Sequence, residues 1–153
     1  MALAWQMAAD AGIMVAMPEP TIVWEVDLLR GRLDERRGIL ELEEDALVFR
    51  PDGAPVARRL AFVDVRRVRR TLGSPVIVVT HGEARLETAY YFVEPPPLRP
   101  PTETDLRPTL RSPKRRLRRQ AFARLSEGGV LLRDVLRAWE RELRGAVAAA
   151  RRD

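Results

Sequence analysis

The chain reads GILELEEDALVFRPDG from residue 38 to residue 53 and LAFVDVRRV from residue 60 to residue 68. Within these runs apolar and polar residues alternate with the period of two that is typical of half-buried strands. Glu44-Asp45 separates the first two runs, and Pro51-Asp52-Gly53 is a strong turn signal after the second. Short turns make consecutive strands antiparallel neighbours, so this stretch predicts a β-meander.

The same pattern continues on both sides of the meander. In the run before it we expect Trp24 to face the core, and in the last run we expect Leu86, Tyr90 and Phe92 to share one face. The apolar runs together predict six or seven strands, and a twisted sheet of that size tends to close on itself. The predicted fold class is therefore α+β, mainly antiparallel β, with a partly open barrel.

The end of the chain predicts an amphipathic helix that caps the barrel. Its apolar residues recur at helical spacings of three and four: Leu132, Leu136, Trp139, Leu143, Ala146 and Ala150. The same face is also suited to a homodimer seam, which is the alternative to capping. A shorter helix is expected to begin at Ser112-Pro113, a typical helix start, and to be interrupted at Gly128-Gly129.

These patterns divide the chain into four regions. They are an N-terminal extension (1–20), a β-barrel core (21–93), a proline-rich and basic insertion with a short helix (94–129), and the capping helix (130–153). The extension has no basic residue before Arg30, so it lacks the charged start of a signal peptide, and it is too short for a membrane span. We expect it to be loosely held; a segment that touches a membrane or docks on a partner is the alternative.

Composition excludes several classes of chemistry. The net charge of +5 makes anionic partners plausible, although a single lysine among the basic residues indicates a genome-wide preference for arginine. The chain has no cysteine, which excludes disulfides and thiolate catalysis. His81 is the only histidine, and His81-Gly82-Glu83 is typical of a hairpin turn. We therefore expect a cytoplasmic protein, either free or at the membrane periphery, with no catalytic residues, metal or cofactor.

Two groups of basic residues are the candidate binding sites. The first lies in the segment 111–119, where six of nine residues are basic and none is acidic: Lys114, Arg115, Arg116, Arg118 and Arg119 are its candidates. The second falls in the first β-hairpin: Arg30, Arg32, Arg36 and Arg37. Near an anionic membrane each arginine contributes about 1 kcal/mol to the free energy of binding. Nucleic acid is the less favoured ligand, because no aromatic residues are interleaved to stack on bases. The alternative to both ligands is that the segment 111–119 forms only a solvated helix face.

The meander and the closing helix together resemble the pleckstrin-homology superfold, in particular its bacterial and GRAM-type members. The matching residues are Gly38-x-Leu40-x-Leu42, Asp45-x-Leu47-Val48-Phe49 and Leu60-x-Phe62-x-Asp64-Val65-x-x-Val68. Trp139 resembles the tryptophan of the family's closing helix. The resemblance covers residues 22–93 and, more weakly, 130–150. It implies a non-enzymatic adaptor that engages a protein partner or an anionic membrane surface, with RNA or DNA binding through segment 111–119 as the alternative.

These hypotheses predict different surfaces. An adaptor should expose an apolar patch beside arginines. An enzyme should instead contain a deep polar pocket in which the pKa values of carboxylates are perturbed.

Overall fold

The computed structural model describes residues 18–29, 32–95 and 123–152, and leaves out the side chains of residues 29 and 32–34. Seven strands fall within this part of the chain: β1 (Thr21–Leu29), β2 (Arg32–Leu42), β3 (Ala46–Pro51), β4 (Arg58–Ala61), β5 (Val65–Arg70), β6 (Val76–His81) and β7 (Leu86–Tyr91). Two helices follow them. The helix α1 spans the described residues 123–131, and α2 is Arg133–Ala150.

The strands form one antiparallel sheet in the order β4-β3-β2-β1-β7-β6-β5. The α+β class and the seven antiparallel strands confirm the coarse prediction. The sheet is not closed into a barrel, because its two edge strands, β4 and β5, are not paired with each other. It is nevertheless strongly curled, since Arg58 on the edge strand β4 reaches Thr88 on β7 across the concave side.

The helix α2 packs against the concave face of the sheet, which we call the inner face. Its buried side chains are Leu136, Trp139, Leu143 and Val147, and they join the main apolar core. The ring of Trp139 meets that of Phe92 edge-on, with centroids 5.9 Å apart. The apolar face that suited either capping or a dimer seam therefore packs inside its own chain.

Arginines of α2 also protect the free edge of β5. The guanidinium of Arg144 donates to the carbonyl oxygen of Val68, and that of Arg151 donates to the carbonyl oxygens of Val65 and Arg66. An edge strand with unpaired carbonyl groups is a template for pairing with another chain. The two arginine side chains therefore bind three carbonyl oxygens of β5 that another chain would otherwise pair with.

The prediction that Trp24 faces the core is wrong. Val23 and Glu25 lie on the inner face and are fully buried, whereas Ile22 and Trp24 lie on the outer face. The period of two was correctly identified, but a one-residue change of register exchanges the two faces of a strand. Glu25 is tolerated inside because it pairs with arginines, which alternation alone does not reveal.

Gly128 and Gly129 do not interrupt the helix. Residues 123–131 are helical throughout, and the bend falls at Leu132. The two glycines instead let α1 approach the sheet closely. A Cβ on Gly128 would lie 2.8 Å from Cγ1 of Val93, and one on Gly129 would lie 3.0 Å from the carbonyl oxygen of Gly73. Larger side chains there would push the end of α1 away from the β5–β6 turn.

Candidate functional site

A cluster of paired charges lies on the inner face of the sheet. Glu25 is 0% exposed, and its Oε1 atom lies 2.7 Å from Nη2 of Arg36 and 3.3 Å from Nη1 of Arg58. The same Nη1 of Arg58 lies 2.6 Å from Oδ1 of Asp27. We call Glu25, Asp27, Arg36, Arg58 and Thr88 the ionic cluster.

The register of the strands explains this arrangement. Glu25 on β1 is paired with Arg36 on β2 and with Tyr90 on β7, and Asp27 is paired with Thr88. Directly opposed residues on neighbouring strands have their side chains within contact distance. Arg58 is the exception, since it comes from the far edge strand and joins the cluster only because the sheet curls.

His81 is attached to this cluster and not to a turn as predicted. It is the last residue of β6, it is buried, and the turn begins at Gly82. The Thr88 hydroxyl donates to Oδ1 of Asp27 at 2.9 Å, which uses its only hydrogen. Nε2 of His81, 2.9 Å from the same hydroxyl oxygen, must therefore carry a hydrogen and donate it. Burial, and next the positive charge of Arg58, lower the pKa of His81, so its ring is neutral at pH 7.

The two carboxyl groups of the cluster are shifted in opposite directions. Burial raises the pKa of Glu25, and the charges of Arg58 and Arg36 only partly oppose it. Burial also acts to raise the pKa of Asp27, but hydrogen bonds from Arg58 and Thr88 outweigh it and leave the pKa below its ordinary 3.8. Oε2 of Glu25 has no hydrogen-bond partner among the described residues. Asp27 is thus the firmly ionised member of the pair.

This geometry ties the edge strand β4 to the centre of the sheet. Each guanidinium of the cluster already faces a carboxylate, and the two cavities described below are lined by other residues. The part of the chain that the structure describes also has no group of three or more metal-ligating side chains.

A second feature is an exposed apolar surface at one end of the fold. Leu72 is 86% exposed, Leu131 81% and Val130 62%. Leu72 lies in the β5–β6 turn, whereas Val130 and Leu131 form the end of α1. We call these three residues the apolar tip. Aliphatic side chains this exposed mark interaction sites when they cluster.

The backbone holds the two halves of the tip together. The β5–β6 turn is closed by the amide of Ser74, which donates to the carbonyl oxygen of Thr71 at 3.2 Å, and Gly73 supplies the positive φ of 72°. Gly129 approaches the carbonyl of Gly73, as described above, so the end of α1 rests on this turn. Leu72 immediately precedes Gly73, and Leu131 follows Gly129 by two residues.

A small cavity lies beside the apolar tip. Its volume is about 240 Å³, and we call it the arginine pocket; it is lined by Arg70, Gly73, Ser74, Ser126, Gly129, Val130, Arg133 and Leu136. Among these described residues none carries a carboxylate. Arg70 is half-buried, with its Nε 3.9 Å from Oε2 of Glu140. Two guanidinium groups and two hydroxyls make the pocket suited to an anion such as a phosphate group.

A larger groove of about 720 Å³ lies at the β6–β7 end of the sheet. Three arginines line it, but so do Glu83 and Glu87, and Glu87 is also 3.7 Å from Arg69. Charges of both signs make this groove less selective for anions than the arginine pocket.

The structure places the predicted basic residues in different surroundings. Arg30 and the five residues of segment 111–119 lie outside the described residues, and Arg32 belongs to β2 with no side chain described. Arg36 joins the ionic cluster, whereas Arg37 pairs with Asp52 and lies 5.9 Å from the centre of the Trp24 ring on the outer face. Adjacent strand residues point to opposite faces, so Arg36 and Arg37 do not form one site. Their role in binding remains a prediction.

Sequence reasoning missed both the ionic cluster and the apolar tip. Glu25 and Arg58 are 33 positions apart, and nothing local links them. The tip left a weak signal, because Leu72 is an apolar residue inside the turn Thr71–Ser74, where solvent exposure is expected.

Neither protein-family models nor curated proteins give a match to this chain. Within the described residues, no helix is both long enough and apolar enough to cross a bilayer.

Proposed function

We propose that this protein is a non-enzymatic binding module of pleckstrin-homology type that engages an anionic membrane surface through its apolar tip. The observation that carries the proposal is one end of the fold where three highly exposed aliphatic side chains stand beside a pocket lined by two arginines and two serines. This is the apolar patch beside arginines that distinguishes an adaptor from an enzyme.

The strand order supports the pleckstrin-homology part of the proposal. The seven strands form one antiparallel sheet in which the first strand, β1, also pairs with the last strand, β7, and the edge strands β4 and β5 are not paired with each other. The helix α2 then lies on the concave side with Trp139 in the core. A meander followed by a helix that carries a core tryptophan is the family pattern that the sequence resembles.

The ionic cluster supports a non-enzymatic role. Its carboxylates are engaged by Arg36 and Arg58, and Glu25 is sealed from solvent. A general acid or base must reach the substrate proton, directly or through one water. The perturbed pKa of Glu25 is explained by its burial among structural partners.

The chemistry of the tip fits a membrane with anionic headgroups. Transfer of a Leu or Val side chain out of water is worth about 1.5–3 kcal/mol when burial is complete. Each arginine near an anionic surface adds about 1 kcal/mol, and Arg70 and Arg133 line the pocket itself. The basic segment 111–119 ends four residues before the first described residue of α1. Stable attachment requires two such signals together, one apolar and one electrostatic.

Co-sedimentation with vesicles tests the proposal. The full chain is compared with the double variant Leu72→Asp/Leu131→Asp on neutral phosphatidylcholine vesicles and on vesicles that also contain phosphatidylserine. We expect binding to the anionic vesicles only, weakened by salt. The double variant should bind at least about tenfold more weakly, because burying one leucine is worth more than the 1.4 kcal/mol of a tenfold change.

The matched control is Val56→Asp/Val63→Asp, which places the same charges at two exposed apolar positions outside the tip. Its binding should resemble that of the natural chain apart from a small electrostatic loss. A variant with Lys114, Arg115, Arg116, Arg118 and Arg119 changed to Ala measures the basic segment separately. Equal binding by the tip variant and its control would contradict the proposal. Displacement of the vesicles by a short RNA, with no effect of the tip variant, would favour nucleic acid instead.

A further inference from the structure

The arginine pocket is assembled by segments that meet at the β5–β6 turn. Arg70 is the last residue of β5, and Ser74 belongs to the turn itself. The helical side of the pocket has the spacings of three and four that place residues on one helix face: Ser126, Gly129, Val130, Arg133 and Leu136. The close approach of Gly129 to Gly73 therefore brings polar side chains of the turn and of both helices to one cavity.

The positive charge of this pocket is largely uncompensated. Arg133 forms no ion pair with any residue that the structure describes. Arg70 has Glu140 as a distant partner, with its Nε 3.9 Å from Oε2. The other oxygen of that carboxylate, Oε1, lies closer to Nη2 of Arg144, at 2.9 Å. One shared carboxylate thus stands against the two guanidinium groups that line the cavity.

The hydroxyl groups of the pocket are also available. Neither the Ser74 nor the Ser126 side chain forms a hydrogen bond within the described ranges 18–29, 32–95 and 123–152. The amide of Ser74 donates to the carbonyl oxygen of Thr71, which fixes the residue and leaves its hydroxyl unused. A serine hydroxyl donates one hydrogen bond. Four polar side chains therefore line one cavity, and three of them have no partner among the described residues.

We propose that the arginine pocket binds a phosphomonoester, a phosphate group attached to a single alcohol. At pH 7 such a group carries a charge of about −1.5 to −2 and has three acceptor oxygens. Arg70 and Arg133 balance this charge, and each guanidinium presents a fork of N–H groups that matches two phosphate oxygens. The Ser74 and Ser126 hydroxyls are donors for the remaining lone pairs. A phosphodiester offers fewer free oxygens and a smaller charge, so it would leave part of the pocket unpaired.

The size and position of the pocket indicate which phosphomonoester fits. Its volume of about 240 Å³ is below the roughly 300–1,000 Å³ of sites for drug-sized ligands, so it suits a phosphate on a short alcohol such as glycerol. Val130 lines the pocket and also belongs to the apolar tip. In the proposed function, on which this step rests, the tip enters the bilayer and the pocket opens among the headgroups. The lipid with this chemistry is phosphatidate, and its soluble counterpart is glycerol 3-phosphate.

Binding of the full chain to both sources tests the inference. Glycerol 3-phosphate is titrated by ¹⁵N nuclear magnetic resonance, with glycerophosphocholine as the phosphodiester control. Phosphatidylcholine vesicles that contain either phosphatidate or phosphatidylserine, matched for surface charge, are compared by co-sedimentation. Each experiment is repeated with Arg133→Gln and with Arg137→Gln. Arg137 is the matched control, because it is an exposed arginine one turn further along α2 that does not line the pocket.

We expect the natural chain to bind the phosphomonoester at least about tenfold more tightly than its control, in solution and on vesicles. Arg133→Gln should abolish both preferences, whereas Arg137→Gln should keep them. A preference in solution alone would support the site with a soluble ligand, and a preference on vesicles alone would support it with the lipid. No preference for the phosphomonoester from either source, or equal losses in the two arginine variants, would overturn the inference.

Failure of this inference and failure of the proposed function are distinguishable. The variant Leu72→Asp/Leu131→Asp should lose vesicle binding and keep its preference for glycerol 3-phosphate, because neither leucine lines the pocket. Unchanged vesicle binding by that variant would contradict the membrane contact through the tip and leave the pocket's selectivity standing. Loss of selectivity with intact tip-dependent vesicle binding would contradict only the phosphomonoester site.

Discussion

Replacing Arg58 by alanine is expected to lower the free energy of unfolding by about 3–5 kcal/mol, the cost of removing one partner from a buried charge pair. Arg58 is the only described cation that contacts Asp27 within 3 Å, and it also neutralises Glu25, which is fully buried. Its loss leaves two neighbouring carboxylates facing the single guanidinium of Arg36. It also frees the edge strand β4 from the centre of the sheet.

The effect of Arg58→Ala should depend on pH. The folded-state pKa of Asp27 lies below its ordinary 3.8, so its ionisation stabilises the fold above that value and the contribution is lost as the pH falls through the folded pKa. Because Arg58 is a main cause of this shift, the difference between the variant and the natural chain should shrink as the pH falls below 3.8.

Urea unfolding followed by circular dichroism measures both effects. Arg59→Ala is the matched control: Arg59 is the next residue of β4, and its partners Glu43 and Asp45 lie on the solvent side. We expect the control to change stability little, because exposed ion pairs contribute little. Similar losses for the two variants, or a loss that does not depend on pH, would show that the ionic cluster does not hold β4 in place.

Gly38→Ala is the second change with a large expected effect, about 3 kcal/mol of lost stability, at the upper end for overpacking. A Cβ at this position would lie 2.2 Å from the carbonyl oxygen of Arg50 and 2.8 Å from the Phe49 ring. The obstacle is backbone of the paired strand β3, which cannot move aside without breaking the pairing of Gly38 with Pro51. The first residue of the stretch that predicts the meander is thus a glycine for a steric reason.

Gly145→Ala is the control, and it is expected to raise stability where Gly38→Ala lowers it. Gly145 lies inside α2, and a Cβ there meets nothing within 4 Å. Alanine at such a helical position is expected to stabilise by about 0.5–1 kcal/mol. Thermal unfolding of the two variants should therefore move in opposite directions. A neutral Gly38→Ala variant would mean that β2 and β3 are not packed as closely as described.

The sequence predicted the meander well because residues 40–49 and 60–68 carry strong local signals. Leu40, Leu42, Leu60 and Phe62 are all buried in the main core, and turns fall where the polar and proline residues stand. The helix that packs on the sheet was likewise visible in its spacing of apolar residues. Each of these signals depends on neighbours a few positions away.

The orientation of β1 could not be read in the same way. Both of its faces carry large side chains, and the outer one carries more apolar residues than the inner one. Glu25 and Asp27 are inside because Arg36 and Arg58 meet them there, and Arg58 does so only through the curl of the sheet. Contacts of this kind depend on the curled shape of the whole sheet, which no local pattern encodes. The same applies to His81, whose place next to Thr88 is set by the pairing of β6 with β7.

The apolar tip also arises from tertiary structure. Leu72 and Leu131 are 59 positions apart, and their backbone segments are neighbours because Gly129 packs on Gly73. The basic segment 111–119 was found from its composition, but the apolar tip was not. The proposed membrane contact therefore combines one feature predicted from the sequence with another that required the structure.

The most direct test of membrane engagement is the environment of Leu131 itself. A single Leu131→Cys substitution in the cysteine-free chain is labelled with a nitrobenzoxadiazole fluorophore, and emission is recorded while anionic vesicles are added. We predict a blue shift and quenching by spin-labelled lipid at this position, and no change for the same label at Val56→Cys, which is exposed in the β3–β4 loop. Unchanged emission at Leu131→Cys while the protein co-sediments with the vesicles would show that another surface binds, and would contradict the proposed role of the tip.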